Sequence, residues 1–408
     1  MLRTGIENPA MDSVNLLAAA RRGRWAIAAL FFSNGFLVGS WAPQIPELVA
    51  RLGIGETTLG LLILVFGVGA ITMMPLAGLL MTRHGSQRVL TAFTVATVLS
   101  LLPVVGAPSV WMVAIALLLF GALIGGMDVA MNSNAVAVEK RLSKATMSSL
   151  HGFWSLGGFV GAGLGGFAIQ GLGYLAHAVL VTVVMALVLL ATFRHVIEDP
   201  APARPDVHQP MRLPRSPAIY LVGMLALFAM IPEGAVLDWA ALYLKQELGA
   251  DIGTAGLAYS FFAGSMAAMR FAGDRVRARF GAVATTRVSS IIAAVGILVA
   301  GIAPYPWLAI AAFAFAGLGI ANIVPIAFSA AGNQPGIAAS TGMSVVTTIG
   351  YSGILLAPSG IGVAAEQIGF SSVFVVLSVL LVVVFLLAPL VRGADLKPCP
   401  PLPGPEMI

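Results

Sequence analysis

Long apolar runs separated by short polar segments set the pattern of the whole chain. About 20 apolar residues are needed for a helix to cross the hydrocarbon core of a bilayer. The runs are continuous and lack the alternation that is typical of barrel strands, so they predict helices. The pattern therefore predicts an all-α membrane protein with twelve transmembrane helices. They lie at roughly 25–48, 57–81, 89–106, 109–137, 146–169, 174–194, 218–243, 254–274, 286–303, 306–330, 338–363 and 370–391.

The two halves of the chain repeat each other. The segment GLLILVFGVGAITMMPLAGLLMTRHG (60–85) and the segment GLAYSFFAGSMAAMRFAGDRVRARFG (256–281) have the same length between matching glycines. The preceding pair Leu52-Gly53 matches Leu248-Gly249 at the same offset. The repeat predicts two pseudo-symmetric six-helix bundles in parallel relation, an arrangement in which transporters place their binding site between the halves, near the midplane.

A proline-rich segment divides the spans six and six. The stretch EDPAPARPDVHQPMRLPRSP contains six prolines and is typical of a semi-rigid linker that has no core of its own. We expect a cytoplasmic N-terminal tail at 1–24, a six-helix bundle at 25–195, a cytoplasmic linker at 196–217, a second six-helix bundle at 218–392 and a cytoplasmic C-terminal tail at 393–408. Both tails are expected to be disordered.

Charge supports the membrane assignment and predicts the orientation. Only 10% of the residues are charged and 59% are hydrophobic, whereas a soluble chain carries about 25% charged residues. With both termini cytoplasmic, nineteen of the 22 Lys and Arg residues fall in cytoplasmic segments; Arg51 and Lys245 fall on the opposite side, and Arg270 lies near a helix end. This asymmetry follows the positive-inside rule. We expect an integral protein of a bacterial inner membrane.

Several function classes have no support in the sequence. The basic residues are scattered between apolar runs, so no nucleic-acid partner is expected. No phosphate loop, Ser-His-Asp order or metal-ligand spacing occurs, and the single cysteine, Cys399, can form neither an intrachain disulfide nor a cysteine cluster. We therefore expect no enzymatic activity, no metal and no cofactor, with a proton gradient as energy source. The expected partners are a small-molecule substrate and the lipid bilayer, and the protein is expected to be a monomer.

Loop and helix motifs resemble the major facilitator superfamily. The loop GLLMTRHGSQR (78–88) resembles the loop signature of that superfamily, although Thr82 stands at its acidic position. The second-half copy, GDRVRARFG (273–281), keeps an Asp-Arg pair at Asp274 and Arg275. The strings SWAPQIPEL, GGMDVAMNSNAVAVE, SSLHGFWSLGG and IPEGAVLDWAALYL are similar to the MosC/YbjJ-type branch. HGFWSLGGFVGAGLGG resembles the antiporter signature of the fifth helix, with Gly158 at its Pro position and Ala162 at its last Gly.

The resemblance implies that the first and fourth helices of each half line a central cavity. These helices carry Asn34, Asp128, Glu233 and Asn322, and the repeat pairs Asn34 with Glu233 and Asp128 with Asn322. A carboxylate inside a membrane span is costly, so we expect Asp128 and Glu233 to titrate, since protonation or a bound cation relieves that cost. Asn132 is a further candidate. The alternative is that these groups are structural and form hydrogen bonds across helices.

Three other polar side chains are candidates for the same cavity. Asp238 lies further out in the seventh span, where it could contact substrate or cap a helix break after Pro232. Trp154 could stack on a sugar-like ring, although interfacial anchoring is the commoner role of tryptophan. His151 could relay protons, with a hydrogen-bonded structural role as the alternative.

Basic residues at the cytoplasmic helix ends predict a latch between the halves. Arg270 and Asp274 are four residues apart and can pair on one helix face. A latch formed in only one conformation would bias the equilibrium between inward-facing and outward-facing states. Binding of an anionic substrate by Arg270 is the alternative. The predicted gating residues are Arg83, Arg88, Arg270, Asp274 and Arg275.

These observations predict a proton-coupled secondary transporter that works by alternating access. The sequence offers two acids in the cavity and no comparable base near the midplane, which favours a neutral polar solute, such as a sugar or cyclitol, or a cationic one. A proton-driven efflux antiporter for drugs or metabolites is an alternative. A membrane sensor or scaffold that does not transport is another, since fold does not fix function.

Overall fold

The computed structural model describes residues 9–142, 146–198, 214–337 and 339–395. The helices of the first half are α1 (Pro9–Trp41), α2 (Gln44–Leu52), α3 (Glu56–Thr97), α4 (Leu101–Gly106), α5 (Val110–Leu142), α6 (Met147–Leu172) and α7 (Tyr174–Thr192). Those of the second half are α8 (Pro217–Gln246), α9 (Ile252–Phe280), α10 (Ala282–Gly301), α11 (Pro306–Ile320), α12 (Ile323–Gly332) and α13 (Ala339–Leu387), followed by a 3₁₀ helix, Ala388–Ala394.

The twelve predicted spans are confirmed once the breaks inside two very long helices are counted. Within the described residues, ten helical stretches are long and apolar enough to cross a membrane. Two of them, 56–106 and 341–394, have 51 and 54 residues, more than twice the span of a bilayer. Each contains one glycine with non-helical backbone angles, Gly85 in α3 and Gly369 in α13. The chain reverses at these glycines, which gives twelve spans.

The backbone reproduces the sequence repeat. Six glycines with positive φ form three pairs, each separated by 196 residues: 53 and 249, 85 and 281, and 173 and 369. Gly85, Gly173, Gly281 and Gly369 all combine φ between 77° and 88° with ψ between 158° and 164°, a region that only glycine adopts at low cost. Each half therefore makes its tight reversals with the same backbone conformation at the same positions.

Two predicted boundaries need correction at the end of the bundle that carries the termini. Residues 9–24 were assigned to a disordered tail, but α1 begins at Pro9. Val196 and Ile197, assigned to the linker, are buried, and the Asn134 amide donates a 2.9 Å hydrogen bond to the Ile197 carbonyl. The linker therefore leaves the first bundle from a fixed point. Residues 1–8, 199–213 and 396–408 lie outside the described part of the chain.

The two bundles meet along two seams of closely packed helices. In the first seam, α6 packs against α9, and a methyl group placed on Gly166 or Gly256 would lie 2.7 Å and 2.8 Å from carbonyl oxygens of the opposite helix. In the second, α3 packs against α13, and a methyl group on Gly60 would lie 2.7 Å from the Pro358 carbonyl oxygen. Glycine permits these approaches because it removes the side chain that would hold the helices apart.

The outer surface of the bundle suits a lipid environment. Large apolar side chains are exposed on nearly every helix, among them Leu119, Leu187, Leu190 and Val376. Trp25, Trp111 and Trp307 are also exposed. Trp111 and Trp307 lie near helix ends, the positions at which tryptophan is enriched at membrane interfaces. The chain is therefore an integral membrane protein with multiple transmembrane helices.

The positive φ of Gly173 predicts that a side chain at this position destabilises the protein. Gly173→Ala is expected to lower the free energy of unfolding by about 1–3 kcal/mol, because φ of +88° strains any residue with a Cβ. No atom lies within 4 Å of the added methyl, so the loss would be conformational. Thermal unfolding of the purified protein in detergent measures it.

Gly171→Ala is the matched control for this prediction. Gly171 lies in the last turn of α6, and its added methyl would also meet nothing within 4 Å. Alanine is favoured over glycine in a helix, so this variant should be unchanged or gain up to about 1 kcal/mol. Equal losses in both variants would contradict the conformational explanation.

Candidate functional site

A group of polar side chains lies in the middle of the bundle, between the two halves. The first half contributes Asn34 from α1, Asp128 and Asn132 from α5, and Trp154 and Ser155 from α6. The second half contributes Glu233 from α8, Tyr259 and Arg270 from α9, and Tyr351 from α13. Most of these side chains are partly exposed although they lie at membrane depth, so they border space between the helices.

Asn34 and Trp154 form one unit of this group. The indole Nε1–H of Trp154 donates a 2.9 Å hydrogen bond to Asn34 Oδ1. Asn34 is only 1% exposed, and its Nδ2 has no partner among the described residues. Trp154 was a candidate for either stacking or interfacial anchoring; its hydrogen bond to a buried amide fixes the ring inside the bundle and argues against anchoring.

Asp128 is held by a neutral neighbour one helical turn away. The Asn132 amide donates to the backbone carbonyl of Asp128 at 2.9 Å and to its carboxylate at 3.3 Å. Among the described side chains, no Lys or Arg forms an ion pair with Asp128. Tyr351, on the facing half, lies within electrostatic range of both Asp128 and Glu233. Asp128 is therefore a partly exposed carboxylate without a cationic partner in the described structure.

Glu233 forms an ion pair with Arg270. Arg270 Nη2 lies 3.3 Å from Glu233 Oε1, and the two side chains are 14% and 24% exposed. The other guanidinium nitrogen, Nη1, donates a 2.6 Å hydrogen bond to Ser155 Oγ on α6. Arg270 therefore connects a carboxylate of its own half to a hydroxyl of the other half.

This arrangement corrects the prediction that the cavity has no base near the midplane. Arg270 precedes the end of α9 at Phe280 by ten residues, about 15 Å along a helix. The sequence had suggested a position near the helix end, because the apolar run fades at Asp274. The predicted pair between Arg270 and Asp274 falls on a side chain outside the described part of the chain, and the described partners of Arg270 are Glu233 and Ser155.

Asp238 and Tyr259 extend the polar group towards the end of the bundle opposite the termini. Asp238 is 9% exposed and has no hydrogen-bond or ion-pair partner among the described residues. Tyr259 lies within electrostatic range of Glu233, Arg270 and Asp238, and its hydroxyl would lie 3.2 Å from a methyl group on Gly158. Tyr259 and Tyr351 are not among the site residues predicted from the sequence, in which their place in the eighth and eleventh spans was the available signal.

His151 and Asn322 occupy the margins of the site. The His151 ring packs edge-on against Phe31 at 5.3 Å between centroids and lies within electrostatic range of Arg270. Asn322 is buried at the break between α11 and α12, where its carboxamide oxygen packs against Gly273 of α9. Its Nδ2 has no partner in the described structure. The structure thus places Asn322 against α9; its predicted equivalence to Asp128 in the repeat concerns position in the two halves and not contact, and its binding role stays a prediction.

The remaining predicted gating residues are exposed at the end that carries the termini. Arg83, Arg88 and Arg275 form no ion pair with any side chain that the structure describes, so their gating role stays a prediction. An ion pair between the halves occurs at the opposite end, where Lys245 Nζ on α8 lies 3.3 Å from Glu47 Oε1 on α2.

Comparisons with known proteins agree with the fold. A sequence model of the Major Facilitator Superfamily matches residues 27–358 and 224–406. An uncharacterized MFS-type transporter of Yersinia pestis is 36% identical over 357 residues, which cover 87% of this chain and 92% of the relative. The membrane protein MosC of Rhizobium meliloti is 33% identical over 348 residues, which cover 84% of each chain.

A solved structure shows the same fold at low identity. The crystal structure of a mutant of the nucleoside transporter NupG superposes with a TM-score of 0.74 at 11% identity, over 90% of this chain and 99% of that chain. The predicted twelve-helix fold in two six-helix bundles is confirmed. The chain belongs to the major facilitator superfamily, in the branch that contains MosC, and is a membrane transporter of a small substrate.

Proposed function

We propose that this protein is a secondary active transporter that moves a small polar solute, neutral or cationic, by alternating access coupled to protons. The observation that carries the proposal is the carboxylate of Asp128. It is partly exposed at membrane depth, and its hydrogen-bond partner is a neutral amide. Ionisable groups inside a membrane are retained where they bind or relay charge.

The Arg270–Glu233 pair supports this substrate class on new grounds. Arg270 is a base near the midplane, so a lack of bases no longer supports a neutral or cationic solute. Because Arg270 is already ion-paired with Glu233, the pair adds no net charge to the cavity, and Asp128 remains as an uncompensated negative charge. A negative site attracts cations and hydroxyl donors and repels organic anions.

The other side chains of the site suit a polar ring. Trp154 and Tyr351 offer aromatic faces, and aromatic rings contribute apolar contact with a polar edge. Asn34, Asn132 and Asn322 provide amide groups that donate and accept hydrogen bonds. This combination supports a sugar-like or cyclitol-like solute, with an amine as the cationic variant.

Glu233 is the carboxylate that we assign to proton coupling. A proton on Glu233 would convert the carboxylate to a neutral acid and remove its ion pair with Arg270. Arg270 also holds Ser155 across the seam, so the protonation state of Glu233 would influence how firmly the halves are held together. A ligand or proton shifts a conformational equilibrium only by its different affinity for the two states.

Access to the site is expected from the end that carries the termini. At the opposite end, the halves are joined by the Lys245–Glu47 ion pair and by the close contact of Gly60 with Pro358. With both termini cytoplasmic in a bacterial inner membrane, as the positive charges favour, this conformation would be closed towards the outside. The proposed unit is a monomer.

Asp128→Asn is expected to weaken the affinity for substrate at least about tenfold, because a hydrogen bond to a charged group contributes about 1.5–3 kcal/mol. It is also expected to abolish transport. The measurement is a thermal-shift screen of purified protein against sugars, cyclitols, amines and cationic drugs, followed by uptake into proteoliposomes. A ligand raises the stability of the folded state by mass action.

Asp251→Asn is the matched control for Asp128→Asn. Asp251 caps α9 through the backbone N–H of Thr254, which holds the pKa of Asp251 below its ordinary value; asparagine preserves this cap. It should leave binding unchanged. Equal ligand binding by wild type and Asp128→Asn would contradict the role of Asp128. A cationic drug as ligand would favour the efflux antiporter, and the absence of transport for every stabilising ligand would favour a sensor or scaffold.

Glu233→Gln is expected to flatten the pH dependence of transport while substrate exchange continues. Glutamine still accepts a hydrogen bond from Arg270, but it cannot bind or release a proton. Proteoliposome uptake, compared between mildly acidic and mildly alkaline buffers with and without a pH gradient, measures the effect. Glu47→Gln, which removes the acid of the other inter-bundle ion pair, should keep the wild-type pH dependence. An unchanged pH profile in Glu233→Gln would move the coupling role to another carboxylate.

A further inference from the structure

The helix α3 has no cap of its own where it begins. Its N-cap residue is Gly55, which has no side chain to accept hydrogen bonds from the first turn. The first backbone N–H groups of a helix lack partners within the helix and need acceptors from elsewhere. Here the Thr57 N–H donates a 3.2 Å hydrogen bond to Oε2 of Glu366. Glu366 belongs to α13, in the other half of the protein.

The helix α9 begins with a related contact. Asp251 caps this helix by accepting from the Thr254 N–H at 2.9 Å. The Gly253 N–H, one residue earlier, donates instead to Oε1 of Gln170 at 3.2 Å. Gln170 belongs to α6, again in the other half. Each half therefore supplies a side-chain oxygen to the start of a helix in its partner half.

The two contacts are copies of one contact in the internal repeat. Gly253 lies 196 residues after Thr57, and Glu366 lies 196 residues after Gln170. This is the spacing that relates the paired glycines of the backbone. The contacts therefore lie at equivalent places on the two seams, at the end of the bundle opposite the termini.

We propose that Glu366 and Gln170 are gating residues that hold this end of the transporter closed by capping helices across the seam between the halves. The proposal rests on the alternating-access function proposed above, since the caps must break whenever this end opens. A carboxylate at a helix start is also favoured by the helix dipole, so Glu366 should hold its seam more strongly than Gln170 holds the other.

The chemistry of these caps suits a gate that opens often. Glu366 is an exposed group, so water can satisfy both the carboxylate and the helix start once the halves separate. Opening therefore leaves neither the Glu366 carboxylate nor the start of α3 buried without a partner. The free-energy difference between the closed and open states is then small enough for a bound substrate to reverse it.

The test measures how often this end opens, without any substrate. In a Cys399→Ser background, Leu355→Cys places a thiol on α13 where Leu355 packs against Gly67 of α3, on the inner side of the Glu366 contact. A membrane-impermeant maleimide is applied to the side opposite the termini. Its labelling rate follows the population of molecules open on that side.

Removing either cap should increase this population. Gln170→Ala is expected to raise the labelling rate about fivefold, the factor that corresponds to a typical helix cap. Glu366→Ala should raise it more than Gln170→Ala does, and the double variant should raise it further. Glu366→Gln should remain within about twofold of the starting rate, because glutamine keeps the acceptor oxygen. An unchanged rate in both alanine variants would overturn the proposal.

Two controls separate the gate from other effects. Glu247→Ala removes a carboxylate that accepts from the Ser371 N–H at 3.0 Å at the start of the twelfth span, within one half, so it should leave labelling unchanged. If Glu247→Ala raised the labelling rate as much as Glu366→Ala does, the effect of Glu366 could not be assigned to its contact between the halves, and the proposal would fail.

Gly60→Trp is the positive control for opening. Gly60 is pressed against the Pro358 carbonyl of the other half, so a tryptophan there must hold the halves apart. High labelling in Gly60→Trp without a change in the cap variants would overturn the gating role alone. If Gly60→Trp also fails to increase labelling, the halves do not open on this side, and the proposed alternating-access function fails with the gate.

Discussion

Close approach of helices across the boundary between the two bundles is the constraint on which the rest of this structure depends. Inside a bilayer, helices gain little from hiding apolar side chains and associate through tight packing and hydrogen bonds. Glycines at 158, 163, 166 and 256 allow α6 and α9 to approach until each glycine lies against the backbone or a side chain of the opposite helix. That approach brings Arg270 within 2.6 Å of Ser155. The polar site therefore exists because the seam is narrow.

The charges of the site follow from this packing. Arg270 would be costly at membrane depth without a partner, and Glu233 on the neighbouring helix supplies one. The result is a neutral pair that connects the halves and an acid, Asp128, that stays without a cation on the other side of the cavity. In the proposed function, substrate attraction and proton coupling then reside in different carboxylates, one in each bundle.

The internal repeat supplies the backbone twice, while function arises where the side chains differ. Ser155 and Tyr351 lie 196 residues apart, as do Gln170 and Glu366, the spacing of the paired glycine reversals. In each pair the repeat keeps the position and changes the chemistry. At equivalent positions, one seam therefore has the charged contact of Glu366 and the other has the neutral contact of Gln170. The two seams need not be equally easy to open.

The sequence by itself determined the fold and the class of protein. Span length, the six-and-six division and the glycine positions follow from the thickness of the bilayer and from backbone sterics, which act locally and can be read along the chain. It also selected Asn34, Asp128, Glu233 and Trp154, because a polar residue within an apolar run is conspicuous without any partner.

Only the tertiary structure decided which of these residues meet. Arg270 was assigned to a helix end because its apolar run fades early, yet the length of α9 carries it to Glu233 and Ser155. Tyr259 and Tyr351 were overlooked because tyrosine is ordinary in a membrane helix. The contacts of Glu366 and Gln170 could not be read from sequence at all, since each joins residues far apart in the chain. Pairing depends on how two bundles pack, and that packing is a property of the whole fold.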